Sequence, residues 1–201
     1  REITELGGIN IAAVNYHFRS KDALVRAVYE RRFHPLNEER LRLLEEAEQA
    51  AEGRPLTIQA ILHALFEPMV RAWRENPNFI LIVGRLQHEP DPELAAYIQK
   101  LYIDLIQRFL AAAVRALPGF PEADLFFWVH FLFGGVVYTL LSSQDIQHYH
   151  RGRNLLDTPE DFLERLIAFG AAGLRAHLST LGLTAPAQME DSRQLSEIEV
   201  L

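Results

Sequence analysis

Apolar residues recur at three- and four-residue spacing along most of the chain, and no run after the first twenty residues alternates as a half-buried strand would. Ser20 is placed to cap a helix carrying Leu24, Val28 and Arg31-Arg32, which Pro35 is expected to end or kink. A charged helix follows from Leu36 to Glu52 and stops at Gly53. Thr57 then caps a strongly patterned helix with Ile58, Ile61, Leu62, Leu65, Phe66, Met69, Val70 and Trp73 on its stripe, broken at Glu75-Asn76-Pro77. A short apolar helix is predicted from Phe79 to Leu86, ending near Glu89-Pro90-Asp91-Pro92. The next begins at Glu93, repeats Tyr97, Leu101, Leu105 and Phe109, and ends in Leu117-Pro118-Gly119-Phe120-Pro121. The last strong helix starts after Thr158-Pro159, a cap followed by proline at the first helical position, and runs through Phe162, Leu166 and Phe169 to His177 or beyond.

Two features depart from ordinary amphipathic helices. At the start, Arg1 to Ile9 reads as a helix end stopped by Gly7-Gly8, and a second helix opens on Asn10. Val14 and Phe18 give that second helix one buried face and leave Ala12, Ala13, Asn15, Tyr16 and His17 for other work. Helix, glycine turn and helix make a helix-turn-helix. Further on, Leu125 to Leu141 is apolar almost all round. A membrane span of that length is at the short limit and would hold His130 near its middle, so a buried helix gripped on two sides is expected.

The expected fold is all-α: a helix-turn-helix DNA-binding module at 1–34, a larger helical ligand-binding and dimerisation body at 35–182, and a loose, proline-interrupted tail at 183–201. Gly134-Gly135 and the Gly170 to Gly173 stretch lie in the two most apolar helices. Small residues there allow either close packing within one chain or a four-helix interface between two copies, and composition leaves both open.

Composition narrows the chemistry. The 201 residues contain no cysteine, which excludes disulfides, cysteine nucleophiles and zinc–cysteine sites. The net charge of −7 is the wrong sign for a protein that wraps DNA, so any DNA-facing surface must be local. Arg19, Lys21, Arg26, Arg31, Arg32, Arg40 and Arg42 supply a positive end, against Glu190, Asp191, Glu197 and Glu199 in the tail. His148-Tyr149-His150, with His34, His63 and His88 distant, reads better as solvated histidines than as a metal site. With no phosphate loop, nucleophile elbow or paired metal motif, neither an enzyme nor a cofactor is expected.

The block Gly8 to Leu24 resembles the recognition helix and following helix start of the TetR family of bacterial transcriptional regulators: turn glycine, small polar cap, aliphatic residue, then Tyr16, His17, Phe18, Lys21 and Leu24 in register. Asn15 departs from the tyrosine that many relatives carry and implies a different preferred base sequence. The similarity extends to members that sense fatty-acyl ligands, through Val14-Asn15-Tyr16-His17-Phe18, an aromatic Phe127-Trp128-Val129-His130-Phe131 segment and Ala171-Ala172-Gly173-Leu174-Arg175-Ala176. The tight motif spans about a tenth of the chain. The resemblance implies that about thirty residues, one capped helix and a few turns, precede Arg1 in the natural protein.

It further implies a cytoplasmic homodimer, paired through its last two helices, that binds a double-stranded inverted-repeat operator and is released by a small apolar effector of the fatty-acyl kind. Membrane, metal and cofactor play no part. Ile11, Ala12, Ala13 and Asn15 would meet base edges, asparagine pairing with adenine and alanine methyls packing on thymine methyls. Tyr16, His17 and Lys21 would hold phosphates. Without the family pattern, the same residues read equally well as a surface helix covering its core. For the effector, the aromatic set Phe66, Trp73, Tyr102, Phe109, Phe126, Phe127, Trp128, Phe131 and Tyr138 suggests an apolar cavity, with Arg85, Gln87, Tyr102 or His130 anchoring a polar end. Taken singly, each of these side chains is better read as core. Two alternatives stand beside the regulator: an all-helical carrier or enzyme with an aromatic cavity for a lipid-like ligand, and a helical adaptor with no small ligand.

Overall fold

In the computed structural model, the described residues are 16–86, 91–143 and 158–183, with backbone alone at Lys21, Arg85 and Leu86. They form an all-α structure with no strand among them. Helix α1 spans Lys21–Ala50, α2 Ile58–Glu75, α3 Phe79–Leu86, α4 Pro92–Ala116, α5 Glu122–Leu141 and α6 Pro159–Thr180. The expected tail, His88, His148 and His150 lie outside the described residues.

Capping side chains set several of the helix starts. Ser20 Oγ accepts the Ala23 N–H at 3.1 Å, Thr57 Oγ1 that of Ala60 at 3.1 Å, and Thr158 Oγ1 that of Asp161 at 3.0 Å. Asp91 Oδ1 accepts from both Glu93 and Leu94, with Pro92 in the first turn where its missing N–H costs nothing. The expected break at Asn76-Pro77 and the short helix Phe79–Leu86 are both found.

Pro35 does not end its helix. The expected pair of helices, one before Pro35 and one from Leu36, is a single 30-residue α1, and the expected boundary after residue 34 falls inside it. A proline in a helix interior costs about 3 kcal/mol. Against that, Tyr29, Phe33, Leu36 and Leu44 are all buried along one stripe that crosses the proline, each side chain contributing about 1.5–3 kcal/mol on burial. Tertiary packing wins.

Helix α1 packs on α2, which also touches α3, α4 and α6. Centrality shows in its residues: Ile58, Ile61, Leu62, Ala64, Leu65, Phe66, Pro68, Met69 and Val70 are buried. Helix α5 differs from expectation. It packs against α3, α4 and α6 through Leu125, Leu132, Val136, Val137 and Leu140, but Phe126, Phe127, Phe131 and Tyr138 point outward, so within one chain it is gripped on one side only. The small residues divide likewise. A Cβ on Gly170 would meet Leu132 and Leu62 side chains at 3.0 Å, and one on Gly173 would meet the Trp128 ring at 3.0 Å, so the α6 glycines serve packing within the chain. Gly134 and Gly135 face open space.

Two glutamates tie the outer helices to the centre. Glu39 on α1 accepts from Arg42 at 2.7 Å and from Arg71 of α2 at 2.8 Å. Glu48 is held by Arg108 and Arg115 of α4.

Replacing Phe66, which is fully buried, with alanine should lower the unfolding free energy by about 3–5 kcal/mol in urea denaturation. Arg42, then Arg71, holds the Glu39 carboxyl down at about 2. A depressed carboxylate stabilises the fold above its unfolded pKa, and the contribution is lost as pH falls towards the folded value. Glu39→Gln should therefore remove about 0.5–1 kcal/mol at neutral pH and flatten the loss of stability below about pH 4.5, measured as unfolding midpoint against pH.

Candidate functional site

At the amino-terminal end, residues 16–18 are helical, Arg19 takes a left-handed φ of 58°, and Ser20 opens α1. This corner turns Tyr16 and His17 outward: Tyr16 is 82% exposed, and its ring meets that of His17 edge-on with centroids 5.5 Å apart. Both are therefore available to a partner. Ile11, Ala12, Ala13 and Asn15 lie outside the described residues, as does the side chain of Lys21.

The expected positive end is smaller than the count of basic residues suggests. Arg40 is buried, Arg42 is engaged by Glu39 and Glu46, and Arg26 lies over the Tyr97 ring, 4.1 Å from its centroid. Arg19, Arg31 and Arg32 remain exposed.

Inside the body, the expected ligand residues occupy different places. Phe66 and Phe109 are buried, and Trp73 and Tyr102 are partly buried against the same core. Phe127, His130, Phe131 and Tyr138 stand on the outer face of α5, away from that core. The side chain of Arg85 and all of Gln87 lie outside the described residues. Where α2, α4, α5 and α6 meet, a void of about 20 Å³ is lined wholly by apolar side chains, among them Ile58, Leu62, Ala113, Leu125, Trp128 and Leu174. That is room for about one water, yet nothing there would hydrogen-bond to one.

Sequence reasoning named Tyr102 but missed its polar neighbours at the α1–α2–α4 junction, Arg40 and Tyr29. Arg40 is 3% exposed, the one charged side chain buried among the described residues. Its Nε donates to the Leu65 carbonyl at 2.8 Å and its Nη1 to Asn37 Oδ1 at 3.1 Å. Leu65 lies one turn before Pro68, whose ring supplies no N–H to the α2 ladder. Beside Arg40 lie Tyr29, whose buried hydroxyl makes no hydrogen bond of good geometry, and Tyr102, whose ring meets that of Tyr29 edge-on at 5.7 Å. Burial holds both phenols above their ordinary range and pulls the Arg40 guanidinium down. A signal existed: Arg40 falls in the Tyr29, Phe33, Leu36, Leu44 stripe, where a surface charge does not belong.

The outer faces of α5 and α6 form a second unexplained feature. Phe127, Phe131 and Tyr138 project on either side of Gly134-Gly135, while α6 exposes Ala168, Phe169, Ala172 and Ala176. By length and composition α5 is also the one described helix that could cross a membrane. No group of metal-ligating side chains occurs among the described residues.

An all-α body arranged around one central helix, with an apolar face left open on its last two helices, is the architecture of a helical ligand-binding domain. The comparison with known families specifies it. The family model described as Tetracyclin repressor-like, C-terminal domain, matches residues 59–173, more than half the chain and nearly all of α2 to α6. The chain belongs to the tetracycline-repressor-like family of ligand-responsive transcriptional regulators, which are generally not enzymes. No curated protein matches it.

Proposed function

We propose that this chain is a homodimeric transcriptional repressor, cytoplasmic and without catalytic activity, that leaves an inverted-repeat operator when a small apolar effector enters its helical body. The observation that carries the reading is the family match across α2 to α6. Support comes from the amino-terminal corner, where exposed Tyr16 and His17 precede the start of α1 and suit phosphate contacts. Asn15, Ile11, Ala12 and Ala13 would then read bases, and Lys21 would add a further phosphate contact.

The effector is of the fatty-acyl kind, as the sequence resemblance implies. A void of about 20 Å³ is far smaller than a ligand pocket of a few hundred Å³, so entry parts the helices that line it. The ligand-bound arrangement is a second state with different spacing between the two recognition helices, and the ligand shifts the balance by binding that state better. Two copies pair through the outer faces of α5 and α6, where Phe127, Phe131, Tyr138 and Phe169 are exposed around small residues that let helices approach.

Selection of random duplexes by the intact protein at physiological salt should enrich an inverted repeat; no enrichment over the starting pool sinks the reading. Asn15→Ala should relax preference at one base pair of each half-site by about 1–3 kcal/mol, while Lys21→Ala weakens every duplex alike. In sedimentation velocity, Phe131→Glu should turn dimer into monomer with its helical content kept. A variant that stays dimeric would put the interface elsewhere.

A further inference from the structure

We propose that the effector, apolar along most of its length, ends in an anionic group that is received by Arg40, with the Tyr29 and Tyr102 hydroxyls beside it, at the junction of α1, α2 and α4. The proposal rests on the ligand-responsive reading above and adds the chemistry of the ligand's head. Arg40 is buried, yet both of its hydrogen-bond acceptors, the Leu65 carbonyl and the Asn37 side-chain oxygen, are uncharged. The nearby carboxylates are committed elsewhere, Glu39 to Arg42 and Arg71, and Glu48 to Arg108 and Arg115. Among the described residues no carboxylate pairs with Arg40. A buried cation without a counter-ion is costly, and two neutral hydrogen bonds do not cancel that cost.

The Tyr29 hydroxyl adds a second, independent sign. It belongs to a residue only 2% exposed, lies near the Tyr102 hydroxyl and Asn37, and makes no hydrogen bond of good geometry to either. A forked guanidinium and two protonated phenols form a donor-rich cluster, the complement of a carboxylate or phosphate. Apolar surface continues from it, since Phe33 stacks on Tyr29 with centroids 4.8 Å apart and Phe79 follows Phe33 at 5.2 Å. Place matters as well. Arg40 sits on the helix that starts at the Tyr16–His17 corner, and its bond to Leu65 fastens that helix to α2 beside Pro68. An anion drawing the guanidinium away from Leu65 would loosen this fastening and leave α1 freer to shift.

The test is calorimetric titration of the intact protein with matched probes: decanoate and decyl phosphate against decanol, and phenylbutanoate against phenylbutanol. At least one anion should bind about 10- to 100-fold more tightly than its neutral counterpart. Arg40→Met should erase that preference with helical content kept and only a small change in melting temperature, the lost Leu65 bond being offset by removal of an uncompensated buried charge. Tyr29→Phe, which deletes a hydroxyl that makes no well-formed hydrogen bond, should weaken the anion severalfold and leave the melting temperature nearly unchanged. Should Arg40→Met fail to fold, the Tyr29→Phe affinities decide.

Equal binding of anions and alcohols, binding of no probe, or a preference that survives both substitutions overturns the proposal. Operator release by a neutral ligand without charge preference would overturn it and leave the regulator standing. Anion binding through Arg40 in a protein that selects no operator would keep the site and remove the regulator.

Discussion

Helix α1 buries one stripe, Tyr29, Phe33, Leu36, Arg40 and Leu44, whose aromatic end meets Tyr102 of α4 and Phe79 of α3 and whose Arg40 bonds to α2, the helix against which α1 chiefly packs. Because α2 is buried on most of its circumference, α3, α4 and α6 can each find apolar surface on it, and α5 closes over α3, α4 and α6. The seam between α1 and α2 is fixed at both its apolar and its polar points. Rings and leucines supply the burial, the Arg40–Leu65 bond sets how α1 sits along α2, and Glu39 bridges outward to Arg71. The corner at Tyr16 and His17 joins this seam through the turn at Arg19 and Ser20, where α1 begins.

The prolines inside α1 and α2, one exposed and one buried, show how local rules yield to packing. Pro35 and Pro68 lie inside helices, each removing one N–H from a ladder at a cost of about 3 kcal/mol. Helix starts were legible at Ser20, Thr57 and Thr158, because capping is a short-range bond between neighbours in sequence. The fate of Pro35 was not, since the stripe that carries the helix through it is held by partners elsewhere in the chain. Arg40 was obscured for a related reason. Counted by charge it belongs to a positive end; only its position in the stripe marks it as buried. Hydrophobicity alone was equally silent on α5, where Leu132 and Phe131 are alike in sequence terms but one faces the core and the other faces out.

The acidic balance of the chain acquires a structural meaning from the same contacts. Glu39 and Glu48 each gather two arginines from different positions, binding α1 to α2 and α4. These arginines are thereby engaged within the body. What remains exposed near the amino-terminal corner is a short group, Arg19, Arg31 and Arg32, on the element that leads away from the residues proposed to meet DNA. On the proposed reading, a chain of net charge −7 that met DNA would need its positive charge confined in this way, since charge spread over the body would be cancelled by its acidic neighbours.

Helix α5 meets the length and composition of a membrane span, with mean hydropathy 1.6, but its surroundings argue for another role. One face is already committed to the protein core through Leu125, Leu132, Val136 and Leu140, so lipid could reach only the other. On that outer face two polar groups, His130 and Thr139, turn back on the helix itself. His130 Nδ1 lies 2.9 Å from the Phe126 carbonyl, an acceptor only, so the ring carries its proton on Nδ1 and donates it to its own helix. Thr139 does the same to the Gly135 carbonyl at 2.7 Å. With these donors satisfied locally and Gly134 and Gly135 leaving a shallow trough between Phe131 and Tyr138, the face presents chiefly carbon and a place for another helix to settle. A second copy of the same face, with its own trough and rings, meets that requirement from both sides at once, which is what a two-fold interface demands of a surface.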